Sequence, residues 1–480
     1  MRKAIPIVLS SIGLSTAIAE KPNMVFILAD DLGWGDVGFN GQKKIKTPHI
    51  DKLAKDGAVF SNFYSGSAVC GPSRAVLLTG RHAGQASVRN NPKFAKDPKA
   101  TDLQPTDNTF AKEMQKAGYA TAVYGKWGLD ENNGTDFGHP LNQGFDEFCG
   151  FLTHNEAHFH WAPYVWENRK KVDLGGKNNW KEKLTYTDDL FTDKGLKFID
   201  KNAGKKPFCL FLSYTVPHLG ATAPKESWKQ YENLGWEKGR KSGGHYNDDP
   251  NTNVAYAAMV TKLDDYVGAV RKHLEKLGIA KNTLIIFSSD NGPEFDKKGF
   301  FNSNGPYTGM KRDLYEGGVK VPGVAFWPGT IKPDTVVEKP YAFWDVLPTF
   351  CDMAGTAPSA ETDGISFLPA LKGTAEPARP YLYWEYNKMG SLSQQAVRFG
   401  KWKAYRIYNG DTNAPVELYN LETDAGEKNN LAGKMPEVAD QGKKYLKIAR
   451  VDSPNFALGK GGSSQGGGKK KGKKNKKKKK

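Results

Sequence analysis

Met24-Val25-Phe26-Ile27-Leu28-Ala29 runs without a polar residue and stops abruptly at Asp30-Asp31. A short apolar run with no alternation suits a strand buried on both faces, as strands of parallel sheets are. Leu284-Ile285-Ile286-Phe287 repeats the pattern and ends in Ser288-Ser289-Asp290-Asn291-Gly292. Ala120 to Tyr124 and Phe208 to Leu212 read as further inner strands. Helical segments separate them, at Ile50 to Gly57, Asn108 to Ala117 and Asp188 to Lys201. The clearest helix is Ala255 to Leu277, which gathers Met259, Val260, Leu263, Val267, Val270 and Leu274 on one face. Strands alternating with helices predict an α/β fold: a large, mostly parallel sheet sandwiched by helices.

Beyond residue 370 the texture changes. Pro380 to Tyr386, Ala396 to Ile407 and Val416 to Leu421 are rich in aromatic residues and partly alternating, which predicts a smaller antiparallel sheet followed by a helix at Pro436 to Ile448. The segments Asn178 to Glu182 and Tyr231 to Pro250 read as loops. The expected organisation is a leader at 1–19, a main domain at 20–370, a C-terminal α+β subdomain at 371–458 and a Gly/Ser/Lys-rich tail at 459–480 that cannot form a core.

The charge sits at one end. The 480-residue chain carries +17, but Lys469 to Lys480 contributes ten lysines and no acid. Without those ten the remainder is +7, and without Lys460, Arg2 and Lys3 as well it is +4. The body is nearly balanced, so the basicity does not mark a specific nucleic-acid-binding protein. The tail is a polycation that either contacts polyanions or serves as a solvated appendage. A hydrophobic fraction of 38% with 25% charged residues excludes a disordered chain or a collagen. No transmembrane run follows the N-terminus. Arg2-Lys3, the apolar or small stretch from Ala4 to Ile18 and Ala17-Ile18-Ala19 read as a signal peptide, so the mature protein is expected to be exported, to a periplasm or the medium. Four cysteines (70, 149, 209, 351) are too few for a disulfide framework and allow one bridge at most.

Ligands of open α/β sheets bind outside the C-terminal strand ends. Asp30-Asp31 and Asp290-Asn291 both stand there, and four oxygen donors suit a hard cation such as Ca²⁺ or Mg²⁺. Either pair alone also serves as a cap or turn former. Cys70 precedes Pro72, which is placed to open a helix; a cysteine at a helix N-terminus is either an activated thiol or a small buried apolar residue.

Cys70-Gly71-Pro72-Ser73-Arg74 followed by Leu77-Leu78-Thr79-Gly80-Arg81 resembles the signature of the type I sulfatases, in the alkaline-phosphatase-like superfamily. Other landmarks follow in order: Pro22-Asn23 with Asp30-Asp31-Leu32-Gly33, Thr47-Pro48-His49, Gly125-Lys126-Trp127, Ser289-Asp290-Asn291-Gly292, Gly309-Met310-Lys311 and Tyr315-Glu316-Gly317-Gly318. The resemblance covers residues 22 to 450 and neither tail. It implies an alkaline-phosphatase-like fold and an arylsulfatase-like hydrolase. Cys70 would be converted to Cα-formylglycine (3-oxoalanine) by a separate maturation enzyme. Asp30, Asp31, Asp290, Asn291 and the modified residue 70 would bind one Ca²⁺. Arg74 would steady the aldehyde hydrate, Lys126 and Lys311 would meet the sulfate, and His218 or Lys311 would protonate the leaving alcohol. The hydrate matters because residue 70 must carry two oxygens, one to take the sulfuryl group and one to expel sulfate as the aldehyde returns.

One position departs from the pattern. Gly128 stands where a histidine usually assists that release, which leaves Lys126, or an imidazole from Thr153-His154-Asn155-Glu156-Ala157-His158-Phe159-His160, to serve instead. His154 and His158 are also candidate substrate contacts, beside Trp161, Tyr164 and Trp166 as sugar-stacking faces. A zinc site in this segment is the competing reading. The expected substrate is a sulfated carbohydrate. Two alternatives stand beside it: a non-catalytic sulfated-glycan-binding protein on the same fold, and a phosphoester or phosphonate hydrolase, which Asn291 disfavours because such relatives place histidine there.

Overall fold

The computed structural model describes residues 21–458 apart from 93–94, 96, 132–136, 297–298, 388–392, 409–410 and 412. The expected leader at 1–19 and the lysine-rich segment at 459–480 lie outside the described residues.

The strands, in chain order, are β1 (Asn23–Ala29), β2 (Ala58–Phe60), β3 (Phe63–Tyr64), β4 (Ala120–Lys126), β5 (Glu147–Phe151), β6 (Tyr164–Glu167), β7 (Lys170–Asp173), β8 (Phe208–Ser213), β9 (Thr283–Ser289), β10 (Gly323–Phe326), β11 (Thr335–Val337), β12 (Tyr341–Ala342), β13 (Leu382–Asn387), β14 (Ser393–Phe399), β15 (Trp402–Tyr408) and β16 (Glu417–Asn420). The helices are α1 (Pro48–Asp56), α2 (Cys70–Thr79), α3 (Phe110–Lys116), α4 (Asn178–Glu182), α5 (Thr187–Asn202), α6 (Thr252–Lys276), α7 (Glu316–Val319), α8 (Val346–Met353), α9 (Leu368–Leu371) and α10 (Pro436–Ile448).

Ten strands form the central sheet in the order β11-β2-β10-β9-β1-β8-β4-β5-β6-β7. Its middle is parallel, β1 lying between β8 and β9 with Phe26 opposite both Phe211 and Ile286. β10 runs antiparallel to β9, and the β6–β7 hairpin adds an antiparallel edge. Every residue of β1 is buried because its side chains alternate between two cores. Met24, Phe26 and Leu28 pack with Val76 and Leu77 of α2, Phe110 of α3 and Phe350 of α8. Val25, Ile27 and Ala29 pack on the opposite face with Ile50 and Leu53 of α1, Phe198 of α5 and Met259, Leu263 and Val267 of α6. The unbroken apolar run thus follows from helices covering both faces. Because β1, β4, β8 and β9 are parallel, their C-terminal ends open on one edge, where the segments carrying Asp30, Lys126, His218 and Asp290 emerge.

Four antiparallel strands, β13-β14-β15-β16, make the second sheet. The aromatic stretch from Ala396 to Ile407 falls in two strands, β14 and β15, joined by a turn with Gly400 at φ +54°. Asn178–Glu182 is a single helical turn rather than a loop. One face of the second sheet packs on α10. Its other face, through Leu382, Trp384, Tyr386, Ala396 and Tyr405, joins the core that holds Phe26 and Leu77.

The second sheet is also pinned to α7 by charge. Lys403 on β15 is fully buried, 3.0 Å from Glu316 and 2.9 Å from Glu427. Glu316 accepts a hydrogen bond from the Tyr64 hydroxyl (2.7 Å), and its backbone N–H donates to Glu427 (2.6 Å). Burial alone would raise the Glu316 carboxyl, but Lys403, Lys320 and Arg398 draw it down to about 2. Removing one partner of such a group strands the others in a dry interior. Lys403→Met is therefore expected to cost about 3–5 kcal/mol in denaturant unfolding followed by circular dichroism; a loss of less than about 1 kcal/mol, the scale of an exposed pair, would show that the network is dispensable.

Candidate active site

The site is assembled at the C-terminal rim of the central sheet. Asp30 and Asp31 follow β1 directly, and Asp290 and Asn291 follow β9; all four are 0–1% exposed. Asp31 holds a left-handed backbone (φ +67°), uncommon outside glycine, and its N–H donates to Asp290 Oδ1 at 3.1 Å. The strain turns the two consecutive aspartates into one concavity instead of opposite faces of a strand. Asn291 Nδ2 donates to Asp31 Oδ1 at 2.8 Å and locks the second pair onto the first.

Cys70 is the first residue of α2, with Val69 in extended conformation as the N-cap. The helix starts two residues before Pro72, which is compatible because the early N–H groups of a helix have no intrahelical acceptor. Gly80 ends it in a left-handed turn (φ +68°), donating to the Val76 carbonyl. One turn after Cys70, Arg74 is 1% exposed. It donates to Asp290 Oδ2 from Nε (3.1 Å) and Nη2 (2.8 Å), to the Lys126 carbonyl at 2.9 Å, and to Ser213 Oγ. Its planar fork fixes the end of β9 relative to α2 and β4.

Lys126 ends β4, and its ammonium lies 2.5 Å from Asp30 Oδ2. Gly125 before it must be glycine: a Cβ there would lie 1.9 Å from the Ser213 carbonyl oxygen. Lys311 donates to both oxygens of Asp31, at 2.6 and 2.7 Å. His218 follows β8, with Nε2 3.5 Å from Asp31 Oδ2. Burial would raise the Asp30 carboxyl, but Lys126, His218, Arg74 and Lys311 hold it well below the usual range. Burial and the neighbouring Asp30 push Asp290 up despite Arg74. Burial would also raise the Cys70 thiol, yet Lys126, His154 and Lys311 pull it well below that of an ordinary cysteine. Burial lowers His218 to about 3, against the pull of Asp30 and Asp31.

Two oxygens in this concavity, Asp30 Oδ1 and Asn291 Oδ1, are buried and accept no hydrogen bond. Such orphans cost about 1–3 kcal/mol each unless something binds them. Candidate ligand atoms of Asp30, Asp290 and Cys70 lie within 4.8 Å of one another, as do those of Asp30, Asp31 and His218. Carboxylates and an amide oxygen that crowd together, with two oxygens unmatched, fit one hard divalent cation.

The histidine-rich segment does not converge on a metal. His154 Nδ1 lies 2.7 Å from Glu131 Oε1 and the ring faces Cys70. His158 is stacked on His218 (5.1 Å, 6°) and lies 2.7 Å from His245. His160 is bound by Thr215 and the His218 carbonyl. Three imidazoles with three sets of partners do not gather as the ligands of one zinc. Trp161 is buried, donating to Thr222, while Tyr164 and Trp166 both donate to Glu156. The aromatic groups beside His218 are instead His158, His245 and Tyr246, the last two 4.6 Å apart and stacked.

The sequence motifs left out Asn91, Ser213, Glu131, His245 and Tyr246. Asn91 accepts from the Gly71 N–H at 3.0 Å, and its amide lies 3.8 Å from Cys70 Sγ. No local pattern marks these residues, since they reach the site from loops and a strand end far apart in the chain, His245 and Tyr246 together from one of them. All four cysteines are free and buried, so the chain uses none of them in a bridge. No helix among the described residues is long and apolar enough to cross a membrane.

The sulfatase family model matches residues 22–356, and a model for the C-terminal region of N-sulphoglucosamine sulphohydrolase matches residues 307–459. N-acetylgalactosamine-6-sulfatase from Mus musculus is 31% identical over 425 residues, covering 83% of this chain and 75% of the relative. Arylsulfatase G from Rattus norvegicus is 28% identical, with 87% of this chain and 84% of the relative covered. Among solved structures, Ps i-CgsB in complex with k-i-k-neocarrahexaose superposes with a TM-score of 0.75 at 28% identity, covering 91% of this chain and 95% of that one. The mixed sheet with its helices and the small antiparallel sheet have the architecture of the alkaline-phosphatase-like fold. With a family model spanning most of its length and an enzyme relative aligned along both sheets, the chain belongs to the type I sulfatase family and is a sulfuric ester hydrolase.

Proposed function

We propose that this sulfatase removes sulfate from sulfated carbohydrates outside the cytoplasm, through a formylglycine made from Cys70 and a Ca²⁺ held by Asp30, Asp31, Asp290 and Asn291. The observation that carries the reading is the setting of Cys70. It is a buried helix-start residue facing three cationic side chains and a carboxylate cluster with two unmatched oxygens. The two groups, once present, supply a nucleophile with two oxygens and a cation that draws charge from the sulfate.

The chain's own residues do the remainder. Lys126 and Lys311 offer ammonium groups to the equatorial sulfate oxygens and hold the ester sulfur in line with residue 70. Arg74, already committed to Asp290, Lys126 and Ser213, keeps the cation ligands and the nucleophile in register. His218 or Lys311 is placed to give a proton to the departing alcohol. The shelf of His158, His245 and Tyr246 beside His218 offers flat faces to the sugar that carries the ester. Sulfated sugars are the favoured substrate because the superposed Ps i-CgsB structure contains a carrageenan oligosaccharide and the Mus musculus relative is named for an amino-sugar sulfate.

Two measurements test this reading. The tryptic peptide holding residue 70, made in a host with the maturation enzyme, is expected to be about 18 Da lighter than its cysteine form. Protein matured in this way is expected to release sulfate from members of a panel of sulfated mono- and oligosaccharides. An unmodified peptide from a competent host, or no release from any sugar while simple aryl sulfates are cleaved, would overturn the modification or the substrate class respectively.

A further inference from the structure

Glu131 and His154 form a carboxylate–imidazole pair that the sequence motifs do not contain. Glu131 Oε1 lies 2.7 Å from His154 Nδ1 and also accepts the His154 backbone N–H at 3.0 Å, so backbone and ring are held by one oxygen. Glu131 is itself anchored, its N–H donating to Asp102 at 2.8 Å. The other ring nitrogen, Nε2, is buried and lies against the Cys70 side chain, with no partner in any other residue. A buried ring nitrogen without a partner is costly unless the group in front of it provides one. A hydroxyl on residue 70 would do so.

Space explains how the ring gets there. A Cβ at Gly128 would lie 3.0 Å from His154 Cε1, 3.2 Å from Nδ1 and 3.3 Å from Nε2. A Cβ at Gly71 would lie 3.2 Å from Cε1 and Nε2. The imidazole therefore fills the place that a side chain at 128 would enter, and it packs against the residue following Cys70. Gly128 also has φ +69°, which disfavours any side chain. The absence of a histidine at 128 and the presence of His154 are two halves of one arrangement.

We infer that His154 is the catalytic base for residue 70 in this chain, with Glu131 as its positioning residue and Gly128 as the vacancy that admits it. The inference rests on the formylglycine reading above. In the release step His154 Nε2 takes the proton of the free hydroxyl on residue 70. The O–H electron pair becomes the second bond of the restored C=O, the carbon–oxygen bond to the sulfate breaks, and its electron pair leaves with sulfate. Nε2 then returns the proton to water. Glu131 holds Nδ1–H in place and balances the imidazolium, as a carboxylate does for a catalytic histidine elsewhere.

The test uses full-length enzyme. With matured protein, His154→Ala is expected to lower kcat for sulfate release about 10²- to 10³-fold, and added imidazole to restore part of it through the hole left behind. Glu131→Gln is expected to lower kcat about tenfold and to change the pH profile of kcat, which loss of folded protein, lowering apparent kcat equally at every pH with KM unchanged, would not do. A second readout needs no modification. In protein kept as the Cys70 form, iodoacetamide alkylation of that thiol is expected to slow in His154→Ala, because a neighbour that favours the thiolate is gone. His154→Gln, which keeps the volume, guards against collapse of the loop. A kcat within twofold of wild type in both His154 variants, or Cys70 alkylation unchanged, would overturn the assignment. Failure of the formylglycine reading looks different: wild-type protein would then release no sulfate, while the alkylation experiment would still report on the His154–Cys70 pairing.

Discussion

Cys70→Ala should abolish turnover, lowering sulfate release by about 10⁴-fold or more, the scale on which loss of a nucleophile is felt. Nothing else in the concavity can take over. Of the side chains around residue 70, Lys126 and Lys311 are engaged with Asp30 and Asp31, Arg74 with Asp290 and His154 with Glu131, and Asn91 is an amide. The variant should nonetheless fold. The thiol meets only Asn91, at 3.8 Å, and the His154 ring as polar partners, Cys70 opens the helix rather than filling its middle, and alanine is a good helix former. Circular dichroism and thermal unfolding close to wild type would accompany the lost activity. Cys70→Ser sharpens the point. A single hydroxyl can accept a sulfuryl group but has no second oxygen with which to expel it, so at most one equivalent of alcohol should appear per enzyme, without turnover. Sustained hydrolysis by either variant would mean that residue 70 is not the nucleophile, and the reading of the helix start would fall with it.

How much of this was readable beforehand follows from what each feature depends on. The inner strands were legible because burial on both faces leaves no polar residue to break Met24 to Ala29, and the long amphipathic helix because its apolar positions recur with the helical period. The convergence of Asp30, Asp31, Cys70, Arg74, Lys126, Asp290 and Asn291 was legible because they sit at strand ends or in the first turn of α2, where position in the chain determines position in space. The edge hairpin β6–β7 and the turn at Gly400 were not, since hairpins at sheet edges are decided by partners distant in sequence. Asn91, Ser213 and Glu131 were silent for the same reason: each is an ordinary polar residue until folding brings it within reach of Cys70, Arg74 or His154. The histidine-rich segment shows the limit well. Three imidazoles within seven residues suggested a shared role, yet an irregular loop points each in its own direction, and only His154 reaches residue 70.

Calcium should stabilise this protein and its removal should silence it, and both effects should pass through Asp30. The proposed ligands come from the ends of β1 and β9, more than two hundred and fifty residues apart, so the unfolded chain would not gather them and the cation should bind the folded state almost alone. Binding to the native state then adds stability by mass action, about 4 kcal/mol when free Ca²⁺ exceeds the dissociation constant a thousandfold. The metal-free site has reason to accept it. Three buried carboxylates share one concavity, Asp30 Oδ1 and Asn291 Oδ1 lack partners, and burial together with Asp30 pushes the Asp290 carboxyl up. A divalent cation relieves each of these at once, matching the orphan oxygens and making full ionisation of the cluster favourable. The expected result is a melting temperature that rises with Ca²⁺ and falls with EDTA, with sulfate release following the same titration and returning when Ca²⁺ is restored. Asp30→Asn keeps the shape, and an amide oxygen for Lys126, but removes the charge that the cation needs. It should flatten the Ca²⁺ dependence of melting while leaving the metal-free protein folded. Differential scanning calorimetry across a Ca²⁺ series on both proteins makes the comparison. If wild-type melting and activity are indifferent to Ca²⁺, Mg²⁺ and stringent chelation alike, the acidic rim is a structural charge network and not a metal centre.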